Sequence, residues 1–515
     1  MFAAVGATAL AACGTSGGSS GASAASGTAG VFGSIPPQSG TPHAGTVRVA
    51  IPPAAAPSWI LPVVTAADNS VYTVFSFDYE MWRPLYFEVN GVEPALNDPM
   101  SLATQPVWTN NNLTATITLK SNYKWSDGTP VTSADVLFWY HLMQAAVKES
   151  PANWAGFSPG IGIPDQVASV TAPNATTVVF NLKSAVNPAW FAESQIAQIQ
   201  PMPVQAMSKA SATGPILDTS DPANAQKVYD YLAGLSKPSA DWATNPIWQT
   251  VDGPYKLTAF NVTTGAFTMV PNSAYGGPHS ADYPTLTTVP FASDAAEVNA
   301  IKAGAVDDGY MPLNDFAQLK GLSKTWNEYG YPDFGWAYAD YNFKDTTGDF
   351  NNIIKQLYVR QAIAHLENEP GYIKAFFSGA AGQAYGPVPA LPKSPYTPAN
   401  AVHDPYPYSI TAAANLLKSH GWTVTPGGTD VCSAPGTAAN QCGAGIPAGT
   451  QLKFNLIYAA DSPLITSMMT DLVSKAKQAG INITLQSSNF DYMISNYLDP
   501  YAPANENKWA MQDFG

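Results

Sequence analysis

The sequence predicts an α/β protein built from mixed layers of helices and strands. Three observations carry that reading. Stretches in which apolar and polar residues alternate, the period of a half-buried strand, recur along the chain. Between them lie stretches with apolar residues at helical spacing. The two kinds follow one another irregularly and are parted by proline-bearing loops, which argues against an all-helical or an all-strand body. With 515 residues the chain is long enough for two or three domains and a large core.

Residues 46–51 open the folded region as a short strand, and residues 76–97 form a segment of aromatic weight with Tyr79, Trp82, Tyr86 and Phe87. Residues 113–119 put Leu113, Ala115, Ile117 and Leu119 on one strand face, with threonines between them. The block 123–140 then reads strand, tight turn, capped helix. Asp127-Gly128 is a turn dipeptide, Thr132 and Ser133 offer capping hydroxyls, Asp135 stands in the first turn, and an apolar run follows. Val136, Tyr140, Met143 and Val147 continue that helix, and residues 177–182 repeat the strand alternation with Val178, Phe180 and Leu182. Further on, 221–235 reads as helix, 253–260 and 266–270 as a strand pair, and 295–302 as a short helix ended by Gly304. Residues 351–366 read as one helix with Ile354, Leu357, Ile363 and Leu366 as its apolar positions. Helices at 410–419 and 462–479 and strands at 451–458 and 481–486 complete the pattern. There is no internal repeat, and the body shows no stretch that reads as a transmembrane helix.

Composition narrows the function classes. Only 12% of residues are charged and the net charge is −14, so nucleic-acid binding, which needs clustered cations, is disfavoured. Polarity rests on Ser, Thr, Asn, Gln and Gly, which suits an exported protein. The six histidines are scattered, no H-E-x-x-H occurs, and the formal Gly17-x-Ser19-x-Gly21 match lies in a segment without strand or helix around it. Asp307-Asp308 reads as a solvated turn. No catalytic residue, metal site or cofactor is expected. Cys432 and Cys442 flank a Gly-, Ala- and Pro-rich loop; in an oxidising compartment they pair, closing a loop worth about 3 kcal/mol, with two free thiols as the alternative.

Near the N-terminus, Leu10-Ala11-Ala12-Cys13 resembles the lipobox of bacterial lipoproteins, although no Lys or Arg precedes it. The resemblance implies a signal peptide over 1–12, cleavage before Cys13 and lipidation of that residue. Residues 14–33, almost entirely Gly, Ser, Ala and Thr, read as a flexible coil that reaches roughly 25 Å, within a tether of 13–45.

Several motifs, taken in order, resemble the family 5 extracellular solute-binding proteins, the peptide, nickel and related binding components of ABC importers. They are the 123–140 block, Asp252-Gly253-Pro254-Tyr255-Lys256-Leu257, the Asn272 to Gly277 element, the 297–308 helix and turn, Tyr341-Asn342-Phe343 and Val359-Arg360-Gln361-Ala362. After the last of these, where the family often has an Asp, this chain has Glu367-Asn368-Glu369. Residues 412–422 and 509–515 complete the series. The resemblance implies a two-lobed fold of the periplasmic-binding-protein type, with a hinge and the ligand enclosed between lobes. Lobe 1 covers 46–313, with an inserted subdomain at about 91–235, and lobe 2 covers 335–515, where the pattern stops short of the family's return to lobe 1. It further implies a monomer that captures peptides and delivers them to a permease with its ATPase subunits, held to the outer face of the membrane by its lipid.

In peptide-binding members an Asp in the segment matching 509–515 pairs with the ligand's α-ammonium. Carried over, Asp513 is the candidate anchor, with Trp509 and Phe514 beside it. Trp82, Tyr86, Trp336, Tyr338 and Tyr341 are the candidate aromatic walls. An oligosaccharide or a nickel complex is the alternative ligand. A surface-tethered hydrolase and a ligand sensor are the rival classes.

Overall fold

The computed structural model describes residues 44–87, 96–278, 281–322, 325–327, 335–391, 393–498, 501 and 508–514. The chain divides between Pro312 and Leu313 into two compact units. Cys13 lies outside the described residues.

The first unit contains two four-stranded sheets. One joins β1 (Thr46–Ile51) to three later strands; the other is formed by β2 (Val107–Thr109), β3 (Thr114–Thr118), β4 (Val167–Asn174) and β5 (Thr177–Leu182) in the order β2-β3-β5-β4, antiparallel throughout. The alternation read from sequence sets its register. Ala115 lies opposite Phe180 and Ile117 opposite Val178, and all four are buried, so one face of the sheet is core.

Helix α1 (Ser133–Glu149) covers that core with Val136, Phe138, Trp139, Leu142 and Met143. Its start follows from local chemistry. Gly128 takes φ +89° in the turn before it, and the N–H of Thr129 bonds to the Asp127 carboxylate at 2.9 Å. Asp135 does more than the sequence suggests. Its carboxylate accepts from the N–H of Thr132 at 2.8 Å, the Thr132 hydroxyl at 3.0 Å, Trp125 Nε1 at 3.3 Å and the N–H of Val204 at 3.1 Å. One buried carboxylate thereby ties the helix start to the turn before it and to the start of a short helix at Val204–Met207. The expected 221–235 helix is α2 (Pro222–Leu235), with the Asp221 side chain accepting from the N–H of Ala223.

The remaining sheet of this unit has the order β1-β8-β7-β6, with β6 (Tyr255–Phe260), β7 (Phe267–Pro271) and β8 (Thr285–Pro290); β1 and β8 run parallel and the other pairs antiparallel. Helix α3 (Asp294–Ala303) follows, ended by Gly304 in a left-handed conformation. The Asp252-Gly253 entry to β6 presses on the 80–81 backbone, where a Cβ at Gly253 would lie 2.3 Å from the carbonyl oxygen of Glu80. Residues 71–81 form a broken helix with a π-helical turn at Val74–Asp78.

In the second unit, β9 (Tyr338–Tyr341), β12 (Lys453–Ala459), β13 (Asn482–Ser488) and β14 (Met511–Phe514) form a sheet of order β13-β12-β14-β9. The β12, β13 and β14 strands are parallel, and β9 is antiparallel to β14. A two-stranded ribbon of β10 (Trp422–Thr423) and β11 (Val431–Cys432) carries the Cys432–Cys442 disulfide, with a Cα–Cα distance of 6.1 Å.

The single helix expected at 351–366 is two. Phe350–Lys355 ends where Gln356 turns extended (φ −74°, ψ 119°), and Gln356 becomes the N-cap of α4 (Leu357–Ala364). The break rotates Leu357 off the apolar face, and it is 57% exposed, whereas Ile354, Ile363 and Leu366 are buried as expected. Helix α5 (Pro463–Gln478) connects β12 to β13, and α6 (Phe490–Tyr497) follows β13.

Candidate functional site

The candidate site is built on β14. Its four residues alternate between the two faces of the sheet. Met511 and Asp513 point one way, Gln512 and Phe514 the other. The register extends this across the neighbours. Met511 is opposite Tyr341 on β9 and Leu456 on β12, Asp513 is opposite Ala339, Gln512 is opposite Asp340 and Ile457, and Phe514 is opposite Tyr338. Each face has its own apolar cluster. Leu456 and Met511, with Tyr341 against them, belong to the main core of the unit, while Ile457, Ala459, Met493 and Trp509 pack together with Phe490 and Tyr497 of α6.

The first face is acidic. Asp513 is half-buried, and loss of solvation pushes its carboxyl above the usual range. Glu367, just past α4, still reaches solvent, but protein atoms crowd around it. That enclosure, with the Asp513 charge second, pushes its carboxyl up to about 7. Glu369 is likewise raised to about 7, by desolvation and then by Glu367. Burial, with Glu367 adding to it and Arg360 opposing, raises the Tyr341 phenol. The Arg360 side chain donates to the carbonyl of Ile354 and its guanidinium lies 5.8 Å from the centre of the Phe343 ring. A group of carboxyls that raise one another's cost of ionisation is a place where a cation is welcome, because it relieves both desolvation and repulsion.

The other face is aromatic. The Trp336 ring lies 5.5 Å from Tyr338, Tyr338 lies 5.7 Å from Phe514, and Phe514 lies 5.4 Å from Phe490. Trp336, 38% exposed, is the open end of this row. Beneath it Gln512 donates to Asp340 at 3.2 Å, while the buried Gln512 Oε1 and Trp509 Nε1 have no partner among the described residues.

The residues expected to share one ligand wall therefore separate into three places. Trp336, Tyr338 and Phe514 come together, with Trp509 on the same face. Asp513 and Tyr341 lie on the opposite face of that sheet. Trp82 and Tyr86 belong to the first unit and, against expectation, are core. Trp82 is fully buried, bonds through Nε1 to the Thr250 carbonyl at 3.0 Å and meets Trp248 edge-on at 6.4 Å. Tyr86 bonds to the Thr104 carbonyl at 2.8 Å and is 2% exposed. Both are wide enough to be the natural centre of a domain core, which periodicity cannot distinguish from a pocket wall. Glu367 and Glu369 were not singled out as site residues; two acids just past a helix end were the available signal. Among the described residues no group of His, Cys, Asp and Glu could hold a metal ion, and no helix is long and apolar enough to cross a membrane.

The described residues thus form an α/β fold in two units, with a half-buried carboxylate on an inner strand of the second unit's sheet. Residues 100–514 match the model of bacterial extracellular solute-binding proteins, family 5, and the chain belongs to that family. It is 24% identical over 388 residues to a Brucella ovis protein whose name assigns it to peptide binding in an ABC transporter, covering 72% of this chain and 57% of that protein. It is 25% identical over 331 residues to the oligopeptide-binding protein OppA of Lactococcus lactis, covering 60% of this chain and 50% of that one. The chain thus spans 50% to 57% of the length of these curated relatives.

Among solved structures, the oligopeptide-binding protein of Thermus thermophilus in complex with a pentapeptide superposes with a TM-score of 0.63 at 18% identity, over 91% of this chain and 76% of that one. NikZ of Campylobacter jejuni in complex with Ni(L-His) gives a TM-score of 0.61 at 16% identity, over 91% and 76%. These likenesses establish the shared two-lobed, periplasmic-binding-protein fold.

Proposed function

We propose that the protein is the extracytoplasmic substrate-binding component of an ABC importer, that it captures peptides, and that Asp513 receives the ligand's α-ammonium. The observation that carries this is the setting of Asp513. It is a half-buried carboxylate on the strand that matches the family's ligand-binding segment, facing Glu367 and lacking any lysine or arginine bonded to it among the described residues. In so enclosed a place an ammonium gains far more from a carboxylate than it would in water.

Peptide-binding names among the curated relatives support the ligand class. The aromatic row of Trp336, Tyr338 and Phe514 supports a second contact, for apolar parts of a ligand. The protein makes and breaks no bond in this reading. Ligand shifts the population of the state that the permease recognises, through its higher affinity for that state. Acylation at Cys13 holds the monomer at the membrane, and the permease and its ATPase subunits complete the transporter. A non-peptide solute is the second reading, favoured by the nickel–histidine complex held by one structural neighbour on the same fold.

Asp513→Asn tests the anchor. Affinity for free-amine peptides, read by titration calorimetry, falls at least about tenfold, the effect of roughly 1.4 kcal/mol. Affinity for the N-acetylated forms of the same peptides stays within about twofold, since they present no charge to lose. Equal losses for both kinds of peptide contradict the anchor.

A further inference from the structure

Three carboxyl groups of the first unit are shut away from solvent with oxygens to which nothing donates among the described residues. Asp78, at the end of the π-helical turn, is fully buried and neither of its carboxyl oxygens has a hydrogen-bond partner. Glu80 is 4% exposed and its Oε2 has none. Asp252 is fully buried; its Oδ1 accepts the N–H of Arg83 at 3.0 Å, and its Oδ2 has no partner.

Among the described groups one cation, Arg83, is coupled to Glu80 and Asp252 but not to Asp78, and its two terminal nitrogens are already engaged while its Nε has no partner. Arg83 donates from Nη2 to the Tyr275 hydroxyl at 3.1 Å and from Nη1 to the Tyr79 carbonyl at 3.4 Å, and its guanidinium lies 4.5 Å from the centre of the Phe87 ring. The other titratable groups around them are acids. Asp68 faces Asp78, Tyr255 is coupled to Glu80, and Asp135 and Tyr123 are coupled to Asp252. The contrast with Asp135 is instructive, because that equally buried carboxylate accepts four hydrogen bonds. An ionised carboxylate without such donors costs several kcal/mol to bury, and the neutral acid costs far less.

We infer that Asp78, Glu80 and Asp252 are carried as neutral carboxylic acids in the folded protein, so that folding takes up protons and the first unit is most stable in mildly acidic solution. Burial pushes Asp252 up to about 8 and Glu80 up to about 7, Arg83 opposing in both, and it raises Asp78 well above the usual carboxylate range, with Asp68 adding to the effect. These folded values lie above the unfolded ones. Their stabilising contribution is therefore complete below about pH 4 and is lost as pH rises through about 7 to 8.

Asp135, Glu297 and Asp308 in the first unit and Glu367, Glu369, Asp430 and Asp513 in the second are raised in the same sense, so a variant is what separates the three buried acids from them. His141 runs the other way. Burial lowers its imidazole, with Asp218 opposing, so its contribution grows as pH rises through the ordinary histidine range. The hydrogen-bonded Asp127, Asp218 and Asp307 are lowered and titrate below this window.

The test is thermal unfolding of the full chain at pH 5 and pH 8, with the variant Asp78→Asn/Glu80→Gln/Asp252→Asn alongside. Wild type melts roughly 5 °C or more higher at pH 5 than at pH 8, and the variant, which mimics the neutral acids, keeps less than half of that difference. A second reading comes from infrared spectra at pH 6, in which wild type shows a buried carboxylic-acid carbonyl band and the variant, which keeps Glu297, Glu367 and Glu369, shows a weaker one. A wild-type melting temperature equal or higher at pH 8 overturns the inference. So does a variant with the full wild-type difference, or a wild-type spectrum without the acid band.

Discussion

Asp513 sits on β14 and Glu367 just past α4, and the charge of the first raises the cost of ionising the second. An ammonium placed between such groups binds best when both are ionised. With Glu367 titrating near 7, affinity for a free-amine peptide therefore rises from pH 6 to pH 8, and binding releases protons in that interval. Glu367→Gln lowers the affinity at pH 8 about three- to tenfold, up to the effect of one pKa unit, and flattens the pH profile. Calorimetry in two buffers of different ionisation heat reads both the affinity and the proton release. A wild-type affinity constant between pH 6 and 8 contradicts the pairing. Asp513 was legible because a motif surrounds it. Glu367 was not, since what joins it to Asp513 is an electrostatic coupling between elements distant in sequence.

The elements show where local chemistry suffices. The turn and cap at 127–135 were legible because Gly128, Thr132 and Asp135 act on their own neighbours. That Asp135 also holds Trp125 and Val204 was not, because those bonds depend on tertiary placement. Asp135→Ala strands several buried donors at once, and it lowers the unfolding free energy by about 3 kcal/mol, read as a shift in the urea midpoint at constant slope. A loss under about 1 kcal/mol contradicts that role. Periodicity ran past the break at Gln356 because Ile354 and Leu357, on either side of it, are spaced like helical neighbours, and nothing in that spacing marks Gln356 as extended. Strand β14 shows the opposite difficulty. Its two faces are acidic-apolar and aromatic-amide, so it has no simple alternation, and only the register with β9 and β12 reveals that Asp513 and Phe514 look in opposite directions.

At the scale of the molecule, the family was legible because many short motifs occur in a fixed order over most of the chain, and that order is harder to reach by chance than any one of them. Ligand class is a different matter. Structures of the same fold carry a pentapeptide in one neighbour and a nickel–histidine complex in another, so fold alone does not choose between them, and the choice rests on the surroundings of Asp513 and the aromatic row. The most direct measurement is native mass spectrometry of the protein purified without added ligand, followed by denaturation and sequencing of what is released. Peptides with free α-amino groups, displaced from wild type and depleted in Asp513→Asn, are the predicted result. A metal chelate or a sugar as the released ligand, with no peptide, would contradict it.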